Sequence, residues 1–107
     1  MAKVNGKEIK FVSTAAWNEQ FRGLEGALYI NEAVQALTKH PVDMLVFEVK
    51  DNKMHIRSAG YDLATDSKLD ETTVIFKVDS LPTPTFWLKI DNYGDYYLGT
   101  FLFPSEY

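Results

Sequence analysis

A chain of 107 residues, 46% hydrophobic and 24% charged, is long enough to form one domain with its own core; the absence of cysteine excludes a disulfide framework, a thiolate nucleophile and a cysteine-ligated metal. The formal charge of -4 resides in the second part, because residues 1–50 hold six basic and six acidic side chains and residues 51–107 hold five and nine. This balance argues against a nucleic-acid footprint and for a basic protein partner; with no signal-like start and no apolar run of about 18 residues, the chain reads as cytoplasmic and without a membrane segment.

In chain order, Asn5-Gly6 between Lys3-Val4 and Lys7-Glu8 predicts a β-hairpin, whose second arm alternates Ile9 and Phe11 with Lys10. Ser13 or Thr14 suits the cap of a short helix. Trp17, Phe21 and Leu24 follow at i, i+4 and i+7, one helical face that reads as core. Gly23 and Gly26 predict a break. Asn31 then caps a second helix over 32–39 with Ala33, Val34 and Leu37 inward, a stripe that Ala27 and Ile30 can extend backwards, and Pro41 ends it. His40 falls in the last turn, where the helix dipole favours a cation.

From Asp43 the pattern alternates. Strands over 44–50 and 53–59, joined by Asp51-Asn52, bring Val49 opposite Met54, Phe47 opposite Ile56 and Glu48 opposite His55. A polar loop, a strand over 72–78 and a stiff connector containing Pro82 and Pro84 lead to segment 85–103. That segment holds seven of the fifteen aromatic residues and reads as two strands around Asn92-Tyr93-Gly94. Alternation assigns Phe86, Leu88, Ile90, Leu98 and Leu102 to the core, and Trp87, Lys89, Tyr97 and Phe101 to the other face.

Helical pieces followed by strands form the α+β pattern. The expected fold is one compact domain over 1–107: an N-terminal hairpin and two short helices on one face of a mainly antiparallel, roughly five-stranded sheet, with a meander as the default order.

In a meander, the loop over 62–71 and the turn over 91–95 share an end of the sheet. Asp62, Asp66, Asp70, Glu71, Asp91 and Asp95 would gather there with Tyr93, Tyr96 and Tyr61, against one basic residue, Lys68. Carboxylates steer a basic protein, and tyrosines bury area at low entropic cost. The second candidate is the other sheet face, where Arg57, Lys77, Trp87, Lys89 and Tyr97 interleave cations and rings as single-strand-binding sheets do. The missing RNP-type motif and basic balance argue against nucleic acid. Coverage by the N-terminal ribbon, or by a second copy in a homodimer, explains that face with fewer assumptions.

No nucleophile elbow, phosphate loop or His-Glu-x-x-His motif is present. His40 and His55 lie in different elements, and Glu48 opposite His55 reads as a cross-strand ion pair. No catalytic residue, cofactor or metal is therefore expected. As a small, acidic, tyrosine-rich, cysteine-free domain, the chain resembles in composition the cytoplasmic immunity proteins and antitoxins that neutralise basic nucleases. The resemblance rests on no particular residue. It implies a stoichiometric inhibitor that covers a positive phosphate groove.

Overall fold

A computed structural model describes residues 3, 4, 6–21, 24–39, 41–51, 53–63, 71–77 and 85–107, with the backbone alone for 24–26 and 71–77. The elements run β1 (Lys3–Val4), β2 (Lys7–Ser13), α1 (Ala15–Gln20), α2 (Leu24–Lys39), β3 (Val42–Lys50), β4 (Lys53–Asp62), β5 (Glu71–Lys77), β6 (Phe86–Asn92) and β7 (Tyr96–Leu102), closing in a 3-10 turn at Pro104–Glu106. The class is α+β. The connector over 79–84 lies outside the described residues.

Thr14 caps α1 as its position predicts, its Oγ1 accepting the Trp17 N–H at 3.3 Å. The second helix is longer than the glycines suggest: α2 spans 16 residues and Asn31 sits exposed inside it. Tyr29, Ala33 and Leu37, spaced i, i+4 and i+8, are all buried. Packing along that stripe outweighs the helix penalty of Gly26, about 1 kcal/mol relative to alanine.

Strand order departs from a meander. Seven strands form one mixed sheet in the order β1-β2-β7-β6-β3-β4-β5, with β2 parallel to β7. The N-terminal ribbon thus extends the sheet instead of covering its second face. β6 crosses back to pair with β3, Met44 opposite Lys89 and Phe47 opposite Phe86. The apolar run of β3 suits its interior place between β6 and β4: Leu45, Val46 and Phe47 are buried in succession. The β3–β4 register is the predicted one, including Val49 with Met54, Phe47 with Ile56 and Glu48 with His55.

The last hairpin corrects the predicted faces. Asn92 pairs with Tyr97, Ile90 with Gly99 and Leu88 with Phe101, so the connection holds an even number of residues instead of the odd number read from Asn92-Tyr93-Gly94. A one-residue slip moves every side chain of the return strand to the opposite face. Tyr97 and Phe101 are therefore core, whereas Leu98 and Leu102 join Trp87 and Lys89 on the other side.

The core is a cluster of rings. Trp17 stacks on Phe101 with centroids 4.4 Å apart, Phe47 stacks on Phe86 at 4.6 Å, and Phe21 touches both Tyr29 and Phe86 at about 5 Å. Gly99 makes room for this packing, since a Cβ there would lie 3.0 Å from the Phe11 ring.

A β-bulge shapes the far end of β4. The register shifts between Val42 and Met44, so that Gly60 and Tyr61 together face Asp43. Gly60 has φ 78°, and Asp43 Oδ1 accepts the Tyr61 N–H at 2.9 Å. A Cβ on Gly60 would come within 1.9 Å of that oxygen.

Two stability measurements follow from this packing. In urea unfolding, Phe101→Ala should lose about 3–5 kcal/mol and Leu98→Ala markedly less; the reverse order would restore the odd-numbered loop and refute the register. Gly60→Ala should lose about 1–3 kcal/mol from its left-handed backbone alone, and more than Gly94→Ala, which has φ 89° but open space around its Cα. Equal losses would mean that Asp43 does not clamp the bulge.

Candidate functional site

Two surfaces carry the candidate residues singled out from the sequence. The first is the acidic end of the sheet. Val42 pairs with Asp62 on β4, and Met44 pairs with Lys89 on β6, so Asp62 and Asp91 both lie at the end where β3 begins. They stand on strands flanking β3, about 10 Å apart across two strand spacings. The shared end expected from the sequence is thus present for these two residues, although it arises from the β6 crossover and not from a meander.

The turn beyond Asp91 is well held. Asn92 Oδ1 accepts the Gly94 N–H at 2.9 Å and a Lys7 ammonium proton at 3.0 Å, while the Tyr93 N–H donates to Tyr96 O at 3.0 Å. Tyr93 and Tyr96 stack with centroids 5.6 Å apart, and Lys10 Nζ lies 4.5 Å from the Tyr96 centroid. Tyr93 is 58% exposed and Asp95 is exposed beside it. Asp91 is half-buried and faces Lys89 at 3.8 Å. Glu71 begins β5 opposite Ser58, four positions short of Asp62 on the neighbouring strand. Asp66, Asp70 and Lys68 lie outside the described residues.

The second surface is the sheet face opposite the helices. Arg57, Val46 and Trp87 form one row across β4, β3 and β6, and Ala59, Met44 and Lys89 form the next. A cavity of about 360 Å³ opens over these rows, walled by Trp87, Tyr61 and Tyr107. The small side of Ala59 and Gly60 leaves that space, and the bulge brings Tyr61 to its rim. Tyr107 comes from the end of the chain: Glu106 Oε1 accepts from Thr14 Oγ1 at 2.7 Å and from the Phe103 N–H at 3.0 Å. Beyond this latch, the Tyr107 ring meets Trp87 edge to face at 5.6 Å.

Of the residues expected on this face, Arg57, Trp87 and Lys89 are brought together, Lys77 ends β5 opposite Lys53, and Tyr97 is removed to the core. Met44, Asp43 and Tyr107 were not singled out by the sequence. Gly60 within a strand is the signal for the bulge, whereas nothing local announces that Tyr107 returns to Trp87. Glu48 stands opposite His55, yet its carboxylate lies 3.6 Å from Arg57 Nε and 3.8 Å from Lys50 Nζ, an ion-pair setting and not an acid–base dyad.

Burial raises the Glu32 carboxyl above its usual range, but Glu32 belongs to α2, away from both surfaces. Among the described residues, no three His, Asp or Glu side chains are grouped to hold a metal, and no helix is long and apolar enough to cross a membrane. No protein-family model, curated protein or solved structure matches the chain, so its function is argued from these two surfaces.

Proposed function

We propose that the protein is a non-catalytic binding domain that blocks a basic partner, as an immunity protein or antitoxin blocks a nuclease, through the acidic, tyrosine-bearing end of its sheet. The observation that supports this reading is the stacked Tyr93–Tyr96 pair on a turn flanked by Asp91 and Asp95. A stacked pair with Tyr93 exposed and Tyr96 half-buried, on a tethered turn, offers contact area without the ordering cost of a loose loop. Asp62 would add to the negative field at the same end, and Asp66, Asp70 and Glu71 are the further carboxylates that the sequence assigns to this role.

The physics of such an inhibitor is simple. Carboxylates draw in a positive groove and speed encounter by about 10 to 1,000 fold at low salt. Tyrosines then displace water at the centre of the contact, where aromatic anchors contribute most of the affinity. Phosphate substrate is excluded because the groove is filled, and no bond need be made or broken.

The test is affinity capture from lysate of the source organism at low and high salt, with mass spectrometry of the retained protein, using the wild type and a Tyr93→Ala/Asp95→Asn variant as bait. One basic protein should be held at stoichiometric level, released by salt, and bound at least about 30-fold more weakly by the variant, the loss of one anchor of roughly 2 kcal/mol. Thermal melting should be unchanged within about 0.5 kcal/mol, since both side chains are on the surface. Equal retention by the variant, or no basic protein at all, would remove the acidic end from the mechanism.

A further inference from the structure

We infer that the outer edge of β2 and the cavity beside it form a groove for an extended peptide segment of a partner protein, which adds to the sheet as a strand and buries one bulky uncharged side chain. On one side β2 pairs with β7 from Glu8 to Ser13. On the other side, among the described residues, β1 pairs only with Lys7 and Glu8. The edge therefore runs on past the ribbon with no described strand alongside.

Backbone parity identifies the groups that this edge offers. The Thr14 N–H donates to Phe101 O at 3.0 Å, towards β7. Backbone groups of successive strand residues point to opposite sides, so Val12 and Lys10 also turn theirs to β7, whereas Phe11 and Ser13 turn theirs outward. Lys7, which pairs with Val4 in the ribbon, has the outward parity too. For the outward N–H and C=O of Phe11 and Ser13 no backbone partner is present among the described residues. Both residues are half-buried. Polar backbone of this kind is the template on which a further strand pairs.

A cavity of about 330 Å³ opens beside this edge, at the small end of the range for ligand pockets. Phe11, Val12 and Ser13 all line it. An alternating strand presents three successive residues only along its edge, so the cavity and the unpaired backbone are continuous. Trp17, Phe21 and Phe101, all buried, form the floor, and α2 supplies the far wall with Ala27 and Ile30. None of the described lining residues is ionisable. A charged side chain would lose its water there without gaining a counter-charge, so the complement is a neutral apolar one. A docked helix would leave the β2 edge unpaired; an added strand satisfies backbone and cavity together. The groove is also separate from the acidic end, because Glu8 pairs with Tyr96 at one end of β7 and Ser13 with Phe101 near the other.

The experiment is a chemical-shift and hydrogen-exchange titration of the full chain with capped peptides, acetyl-Thr-Thr-X-Thr-Thr-amide, in which X is Leu, Phe or Lys, and with the Leu peptide N-methylated at every residue. In the free protein the Phe11 and Ser13 amides should exchange rapidly. The Leu or Phe peptide, at millimolar or lower concentration, should slow both amides and shift the Trp17 indole. The Lys peptide should bind at least about tenfold more weakly because its charge finds no partner, and the N-methylated peptide about tenfold more weakly for want of main-chain bonds. Ala27→Glu, at an exposed position on the wall, should weaken the Leu peptide severalfold. Ser13→Pro removes an outward donor and no ladder bond, which an edge strand tolerates, and should also weaken it severalfold. Slow exchange of Phe11 and Ser13 in the free chain would show the edge to be already paired and would overturn the inference. So would no binding of the Leu and Phe peptides, equal binding of the Lys or N-methylated peptide, or wild-type affinity in both variants. Concentration-dependent shifts of Phe11 and Ser13 without peptide would overturn it as well, giving the edge to a second copy. These variants leave Tyr93 and Asp95 unchanged, so capture of a basic protein succeeds or fails separately.

Discussion

The stacking of Trp17 on Phe101, with centroids 4.4 Å apart, is the contact on which the rest of the architecture depends. It joins the first helix to the last strand, and it sits where Thr14 N–H donates to Phe101 O at 3.0 Å. Together these contacts fix where β2 hands over to α1, and hence why β2 runs parallel to β7. Phe86 touches Trp17, Phe21, Tyr29 and Phe47, so the ring cluster crosses from both helices to the centre of the sheet. Aromatic pairs add about 0.5–1.5 kcal/mol each beyond their buried area, and here several share one centre.

That cluster also decides the composition of the opposite face. With Phe101 turned to the helices, pairing places Leu98, Thr100 and Leu102 on the side of Trp87 and Lys89. Leu102 remains buried there because it lies across from Trp87, and the ring of Tyr107 covers Trp87 from beyond the strand end. A reversed return strand would put two more aromatic residues on this face and leave the helices facing leucines. The observed arrangement instead places most ring area in the core and leaves a compact aromatic patch outside.

Local rules made much of this legible. Thr14 precedes a helix and caps it; two alternating runs pair in the expected register from Lys50 with Lys53 onward; Trp17 lies in α1 and Phe21 at its C-cap, and both meet the same Phe86. What escaped was set at long range or by the length of a turn. The tethering of Asn92 Oδ1 to Gly94 N–H and of Tyr93 N–H to Tyr96 O fixes the hairpin's parity, and no alternation pattern specifies it when both faces are apolar. Strand order depended on β6 returning to β3, for which the relevant signal was the three consecutive buried residues Leu45, Val46 and Phe47. Within α2, the buried stripe extends back through Tyr29 despite Gly26, because burial acts over the whole helix while a glycine acts at one position. The acidic residues were legible as a set, but their convergence depended on topology, and among the described ones it places Asp62 and Asp91 at one end of the sheet.

The character of each surface follows from what packing leaves over. The helices cover one face of the sheet, β4 and β6 enclose β3, and the remaining surfaces are the outer face and the strand ends. These differ in kind for a physical reason. A sheet face has its backbone paired, so it can present rings and an apolar floor at little desolvation cost. A strand end leaves backbone groups to water and side chains, and it accumulates Asn, Asp and Gly, which satisfy those groups and bring negative charge with them. Lys89 and Asp91, two positions apart on one face of β6 and 3.8 Å from each other, mark the border. One side of that border offers stacking and positive charge, and the other offers tyrosine and negative charge. Because the two surfaces share strand β6, charge placed at one is felt at the other across a border shorter than the Debye length of about 8 Å.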